Sequence, residues 1–428
     1  MKELTSILGL LDKTFAGEWG SPPDSCRDVV VFRSTNFGRD SRLDLSDVVL
    51  RCIDPVVLTK KRLKPGDILL EKSGGGPQQP VGRVVYFDEA LEAVCSNFIQ
   101  VCRPDLRNEP RFVFYLFDHL YRSGVTLQFQ QQTTGLTNLK LAEFLSAKVR
   151  KVAREEQQII SQVLWASDRA IQQTEALLAK QQRIKTGLMH DLLTRGLDAQ
   201  GRLRDTSTHR FKKSLLGLIP EEWEVKLVEQ AGSVTVGRQR APVFEKGLYM
   251  TPYLRVANVF DGWIDFTDVL SMNFDPADRA RYELLCGDVL LNEGQSLELV
   301  GRSAIYNGPP ATYCFQNTLI RFRCRLGNNP VFAQSVFKRW LDTGAFQLVA
   351  KQTTSVAHLG ATRFAKMPFP LPPPDEQNRI AVVFEHEISR TLQSSHLLTK
   401  LRRLKTGLMH DLLTGERSVT PLLAKKTE

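Results

Sequence analysis

Lys185–Thr194 reads KTGLMHDLLT, and Lys405–Thr414 spells the same ten residues again, 220 positions further along a chain of 428. A match of that length is not a chance event, so internal duplication is the first fact to explain. Other matches fall at nearly the same spacing. Gln132-Thr133-Thr134 returns as Gln352-Thr353-Thr354, Glu156-Gln157 as Glu376-Gln377, Gly66-Asp67 as Gly287-Asp288, and Gly82-Arg83 as Gly301-Arg302. Arg33 and Asn36 find counterparts in Arg255 and Asn258. Between these anchors the copies differ strongly. One scaffold around two unlike interiors suggests one job done on two targets.

Composition is that of an ordinary globular protein, 42% hydrophobic and 24% charged. Lys and Arg exceed Asp and Glu by ten, and the pI is about 9.2. That excess suits a polyanion such as DNA without requiring one. Seven cysteines stand at 26, 52, 95, 102, 286, 314 and 324 with no C-x-x-C spacing, which points to reduced thiols and a cytoplasmic protein. Cys95 and Cys314 lie in apolar contexts and read as core residues. Lys2, Glu3, Asp12 and Lys13 argue against a signal peptide. No stretch is long and apolar enough to span a membrane, so no membrane partner is expected.

Residues 1–148 read as a mixed α/β globule. Strands are expected at Val29–Phe32, Ile68–Leu70, Arg83–Phe87 and Cys95–Cys102, with a helix over Phe112–Ser123. Ser73–Pro77 and the polar Phe129–Asn138, FQQQTTGLTN, are expected to be loops. Residues 149–212 hold a helix of roughly 35–40 residues, about 55 Å long, followed by a polar connector over Arg195–Lys213. Its apolar stripe is Ile160, Leu164, Ile171, Leu178, Ile184, Leu188 and Leu192. A second globule, 213–374, repeats the plan, with a strand at Trp263-Ile264 and a helix over Val331–Leu341. Residues 375–428 carry a second long helix whose stripe is Ile380, Phe384, Thr391, Leu398, Leu404, Leu408 and Leu412. The expected fold is α+β: two mixed α/β domains separated by two long antiparallel, coiled-coil-like helices, with an internal pseudo-twofold that sets the globules at opposite ends.

Several constellations invite chemistry. Ser73–Gly76 could cradle a phosphate, but no Gly-Lys-Ser/Thr follows, so a turn is favoured. Asp67, Glu71 and Lys72 have the wrong spacing for a metal nuclease, and the second copy has no Lys there; Asp67 and Asp288 read as turn caps. His190-Asp191 and His410-Asp411 read as helix-end residues. The two Gln-Thr-Thr loops could meet base edges and phosphates or bond their own backbone. Methyltransferase, NAD and Walker signatures are absent from the sequence, and nothing in it supports independent catalysis.

This layout resembles the specificity subunit of type I restriction-modification systems. The likeness rests on the doubled KTGLMHDLLT, the GDILL and GDVLL turn-strands each followed by Gly-Arg, the QTT loops before each Glu-Gln helix start, and IPEEWEV at Ile219–Val225. It covers nearly the whole chain, except that the first copy lacks the IPxxWE opening. The resemblance implies two target-recognition domains, each reading half of a split, asymmetric site in double-stranded DNA, and helices that space the half-sites and dock two modification subunits. Those partners would carry S-adenosylmethionine and methylate adenine, and restriction subunits would add ATP- and Mg-dependent translocation and cleavage. This chain would hold no cofactor, no metal and no catalytic residue. Its DNA-binding candidates are Arg33, Asn36, Lys72, Ser73, Arg83, Gln132, Thr133 and Thr134 in the first domain. In the second they are Arg255, Asn258, Gln295, Arg302, Gln352, Thr353, Thr354 and His358. The alternatives are a self-contained nuclease or methyltransferase and a protein-only coiled-coil adaptor.

Overall fold

The computed structural model describes residues 3–24, 28–38, 41–76, 79–133, 135–352 and 356–419. The chain forms two compact units, Met1–Glu175 with His396–Glu428, and Ala176–Ser395. The sequence boundaries follow the chain, whereas the units divide both long helices, because each helix begins on one globule and ends on the other.

Each unit is built on a four-stranded antiparallel sheet. In unit 1 the order is Leu11–Ala16, Ile99–Pro104, Ile68–Glu71, Val84–Tyr86. In unit 2 it is Gly232–Val236, Leu319–Cys324, Val289–Asn292, Ser303–Ile305. The GDILL and GDVLL runs are the third strands. They are apolar without alternation because both faces are covered. Ile68 and Leu70 meet Phe112 and Leu116 of the helix Pro110–Arg122, while Leu69 faces Phe32 and Phe87. Val289 and Leu291 likewise meet Phe332 and Phe337 of the helix Pro330–Asp342, and Leu290 faces Leu254 and Phe315. A three-stranded sheet covers the second face, with Asp28–Phe32 central in unit 1 and Met250–Leu254 in unit 2.

Asp67 and Asp288 cap their turns as expected. Each accepts a backbone N–H at 2.8 Å, from Lys64 and Leu285. Each also holds a bidentate arginine from the neighbouring strand, Arg103 or Arg323, which the sequence reading did not foresee. Cys95 and Cys314 are core residues, and burial raises both thiol pKa values, Cys314 to about 12.

The long helices are Arg154–Leu192 and Pro374–Thr414, 39 and 41 residues. In unit 1 the first turns of one, Ile159, Ile160 and Leu164, share a core with the last turns of the other, Met409, Leu412 and Leu413. In unit 2 the roles reverse: Met189, Leu192 and Leu193 join Ile380 and Phe384. The helices therefore run antiparallel in each unit. The expected stripes hold only near the globules. Ile184 and Leu404 are exposed, and Thr174, Gln181, Glu387, Ser394 and Lys405 are buried instead.

The repeated Glu-Gln has a clear role. Gln157 accepts from the Glu109 N–H and donates to the Val152 carbonyl and Asn108. Gln377 accepts from the Asn329 N–H and donates to the Pro372 carbonyl and Asn328. The glutamates diverge in strength. Glu376 accepts from two Arg204 nitrogens, Trp223 Nε1 and the Leu197 N–H. Glu156 takes a single charged donor, Arg150 at 2.8 Å. The polar connector is thus a docked element, with Leu197, Asp198 and Arg204 buried.

Three other expectations change. Cys95–Cys102 is two strands, Ala93–Cys95 and Ile99–Pro104, broken by a turn in which the Ile99 N–H bonds the Ser96 carbonyl. Trp263-Ile264 is not a strand but a tight turn closed by the Val259–Ile264 bridge. Ser73–Gly75, Gln130–Thr133 and Leu136–Leu139 are strands and not loops.

Glu376→Gln strands the buried Arg204 charge and is expected to destabilise unit 2 by about 3 kcal/mol. Glu156→Gln, where both partners are partly solvated, should cost roughly 1 kcal/mol. Urea unfolding of the full chain reads both, and equal losses would contradict the assigned difference between the two nodes.

Candidate nucleic-acid interface

The central strand of unit 1 leaves the core at Glu71, and Ser73–Gly75 immediately joins a second, small sheet. Its other strands are Gln130–Thr133 and Leu136–Leu139, a hairpin, so neither segment is a free loop. Thr137 pairs with Gly75 and Asn138 with Ser73, whose hydroxyl bonds the Asn138 amide oxygen. Gly135 turns the hairpin at φ +84°, a conformation other residues adopt only with strain. The hairpin was missed because its strands are polar, so apolar alternation was absent. The usable signal was Gly135 between two short polar runs.

Unit 2 repeats this sheet. Val289–Asn292 leads to Gly294–Gln295, which pairs with Ala357–His358, which pairs with Lys351–Gln352. Four candidates, Lys72, Ser73, Gln132 and Thr133, therefore converge on one small sheet or its edge in unit 1. Gln295, Gln352 and His358 do so in unit 2. Gln132 and Gln352 are exposed. Thr134, Thr353 and Thr354 lie outside the described residues, as does the side chain of Thr133. Lys72 is half-buried and reaches Gln100 at 3.4 Å, and its burial lowers the ammonium pKa. His358 Nδ1 is 2.9 Å from Glu293 Oε2, a pairing the sequence reading did not single out.

The remaining candidates are arranged differently. Asn36 and Asn258 are 1% exposed. Their side chains accept from the Arg33 and Arg255 N–H groups and donate to the carbonyls of Asp44 and Asp47, or of Asp265 and Asp268. They are spent on shaping a turn and offer no free edge to a base. Arg33 and Arg255 each hold an aspartate, Asp47 and Asp268. Arg83 clasps the buried Glu71; burial opposes its charge, but the carboxylate outweighs that and raises its pKa. In unit 2 Asn292 stands in the place of Glu71. Arg302 has no ion pair among the described residues, and burial lowers its pKa.

The doubled His-Asp pairs sit at helix ends. His190 accepts from Arg339 at 3.1 Å, and His410 lies 3.1 Å from Glu416. Among the described residues no three His, Cys, Asp or Glu side chains gather as a metal site. No helix there is long and apolar enough to cross a membrane.

The duplicated α+β unit, with its helix-start clamps and polar hairpin sheets, is the fold of type I restriction-modification S subunits. The S subunit from M. genitalium superposes with a TM-score of 0.58 at 13% identity, covering 96% of each chain. A structure described as bearing on complex assembly and conformational transition of the type I R-M system matches at 0.57 and 14% identity, covering 97% of this chain and 98% of that one. In sequence, residues 55–182 match the type I restriction modification DNA specificity domain, and the chain carries that domain. It is 27% identical over 206 residues to the type I restriction enzyme MjaX specificity subunit of Methanocaldococcus jannaschii, 48% of either chain. It is 29% identical over 181 residues to the MjaVIII specificity subunit of that organism, 41% of this chain and 40% of the relative. The matches thus span about half the length of these relatives or less. The resemblance drawn from the repeats holds.

Gly135→Val forces a β-branched residue to φ +84° and is expected to open the hairpin without changing the melting of unit 1. Hydrogen exchange at Gln130–Leu139 checks this; unchanged protection would mean that the turn does not control the strand pair.

Proposed function

We propose that the chain is the DNA-reading subunit of a type I restriction-modification complex. Each unit recognises one half of a bipartite, asymmetric site in double-stranded DNA, and the long helices set the gap and dock two modification subunits. Those partners supply S-adenosylmethionine and methylation, and restriction subunits supply ATP- and Mg-dependent cleavage. This chain supplies sequence recognition and no catalysis. The observation that carries this reading is the small polar sheet, built twice at the same place on the same scaffold, with Gln-Thr-Thr shared and the strands beside it unlike. A protein-only adaptor has no need of two such unlike polar surfaces. Gln132, Thr133, Thr134, Lys72 and Ser73 are the proposed contacts of one half-site, and Gln295, Gln352, Thr353, Thr354 and His358 those of the other. Glutamine amides suit adenine edges, and hydroxyls and lysine suit phosphates. Arg33, Asn36, Arg83, Arg255 and Asn258 are engaged by the protein's own groups and are assigned a structural role. Arg302 remains a direct contact.

Methylome sequencing of cells expressing the complex is expected to show one motif of two unlike half-sites at fixed separation. Gln352→Ala should relax or weaken only one of them. Removing a bidentate hydrogen-bonded pairing to a base should cost about 1–3 kcal/mol. Methylation by the purified chain alone, or a continuous motif without a gap, would overturn the reading.

Four residues inserted after Leu178 should change the preferred gap or abolish methylation, since they lengthen the first helix by about 6 Å. An unchanged gap at full activity would count against the spacer role.

A further inference from the structure

Unit 2 carries an aromatic pair that the reading above does not use. Phe260 and Trp263 sit on the tight turn whose Gly262 adopts φ +80°. The turn is closed by the Phe260 N–H on the Trp263 carbonyl at 2.9 Å. The two rings lie flat on each other, centroids 4.4 Å apart and planes 9° apart. Trp263 is nonetheless 53% exposed. A large ring held flat yet left in water is poorly explained by packing alone.

Its surroundings hold an arginine and are tied to the DNA-reading sheet. The Arg302 guanidinium lies over the Phe260 ring, 5.0 Å from its centroid. Its Nε has no hydrogen-bond partner. Asp261, whose charge acts on Arg302, is held by Lys338 at 3.1 Å. The turn is bonded to the sheet end that feeds Gly294–Gln295. The Asn292 amide donates to the Val259 carbonyl at 3.4 Å, and the Gly262 N–H donates to the Ser303 carbonyl at 3.0 Å. Among the described residues unit 1 has no such pair at the equivalent place. Its corresponding segment contains Gly38, Ser41 and Arg42, and Arg42 is paired with Glu175. Arg83, the counterpart of Arg302, is neutralised by Glu71.

We propose that Trp263, backed by Phe260 and flanked by Arg302, is a stacking platform for a DNA base at the edge of the half-site read by unit 2. The proposal rests on the DNA-reading function above and adds to it a contact of a different kind. An aromatic face accepts any base, and a neighbouring arginine with no carboxylate of its own meets the adjoining phosphate. DNA fits this patch better than a protein partner, because the flat ring pair lies against a guanidinium with no direct ion pair among the described residues and is continuous with the reading sheet. A base on Trp263 must be at least partly withdrawn from the duplex stack, so the platform would stabilise a kinked or opened step. Only one of the two half-sites would be distorted in this way.

The test uses the full chain co-expressed with its modification subunits, and a duplex carrying the site read from the methylome. DNA binding by the wild-type complex should quench tryptophan emission, and Trp263→Phe should lose that quench while retaining most of the affinity. Trp263→Ala should weaken binding by roughly five- to a hundredfold. Neither variant should alter assembly with the modification subunits or the melting temperature. Arg302→Gln, which leaves the ring pair in place, should weaken binding and reduce the salt dependence by about one phosphate contact. The platform is refuted if Trp263→Ala binds DNA as the wild type does, or if the quench survives in Trp263→Phe. Loss of assembly with DNA binding intact would assign Trp263 to a protein partner instead. Failure of the wild-type complex to bind any duplex would sink the DNA-reading function itself, and the platform with it.

Discussion

The fold depends on how each long helix is started. A glutamine in its first turns is buried among backbone groups of the same globule and uses its amide oxygen and both amide protons there. An amide placed this way cannot shift by one residue without leaving several buried polar groups unpaired, at about 1–3 kcal/mol for each. It therefore fixes helix phase and direction at the point of departure. The adjacent glutamate closes the joint by taking an arginine, Arg150 in unit 1 and Arg204 in unit 2. Without such joints, helices of about 60 Å would leave their globules at a variable angle.

That constraint explains which residues could repeat and which were free to change. Glu-Gln must recur because both helices start in the same way. KTGLMHDLLT must recur because both end in the same way, with Met189, Leu192 and Leu193 buried in unit 2 and Met409, Leu412 and Leu413 in unit 1. Gly-Asp must recur because the aspartate both caps its turn and holds the arginine of the next strand. None of these residues faces outward on the polar sheets. Apart from Gln-Thr-Thr, which lies on the polar sheets, these repeats are joints and caps, and the segments between them carry most of the differences.

This is also why the fold was more legible than the site. Buried runs such as Ile68–Leu70, the glutamine joints and the helix ends are set by packing, which leaves a pattern. The middle of the long helices misled, because Thr174 and Gln181 are buried where Ile184 was expected. Polar residues placed in a seam look like surface until neighbours are known. The Gln-Thr-Thr segments repeat between the copies, but their polarity hid the hairpin of unit 1. Asn36 and Asn258 match across copies, and in both the side chain is taken up by its own turn. A residue matched between two units that read different targets is, on physical grounds, more often scaffold than reader.

The same argument locates recognition in substitutions at equivalent sites. Where unit 1 has Glu71 clasping Arg83, unit 2 has Asn292, and Arg302 has no direct ion pair among the described residues. One exchange turns an internally neutralised arginine into one available to an external anion, with the strand beneath unaltered. Because Glu71 and Asn292 are both buried at the end of a central strand, the change is electrostatic and leaves the backbone path alone. Two units can thus keep one sheet register and one set of joints yet present different charge to a ligand. A duplicated scaffold acquires a second specificity most readily at such positions, since a different side chain there leaves the core and the helix joints as they are.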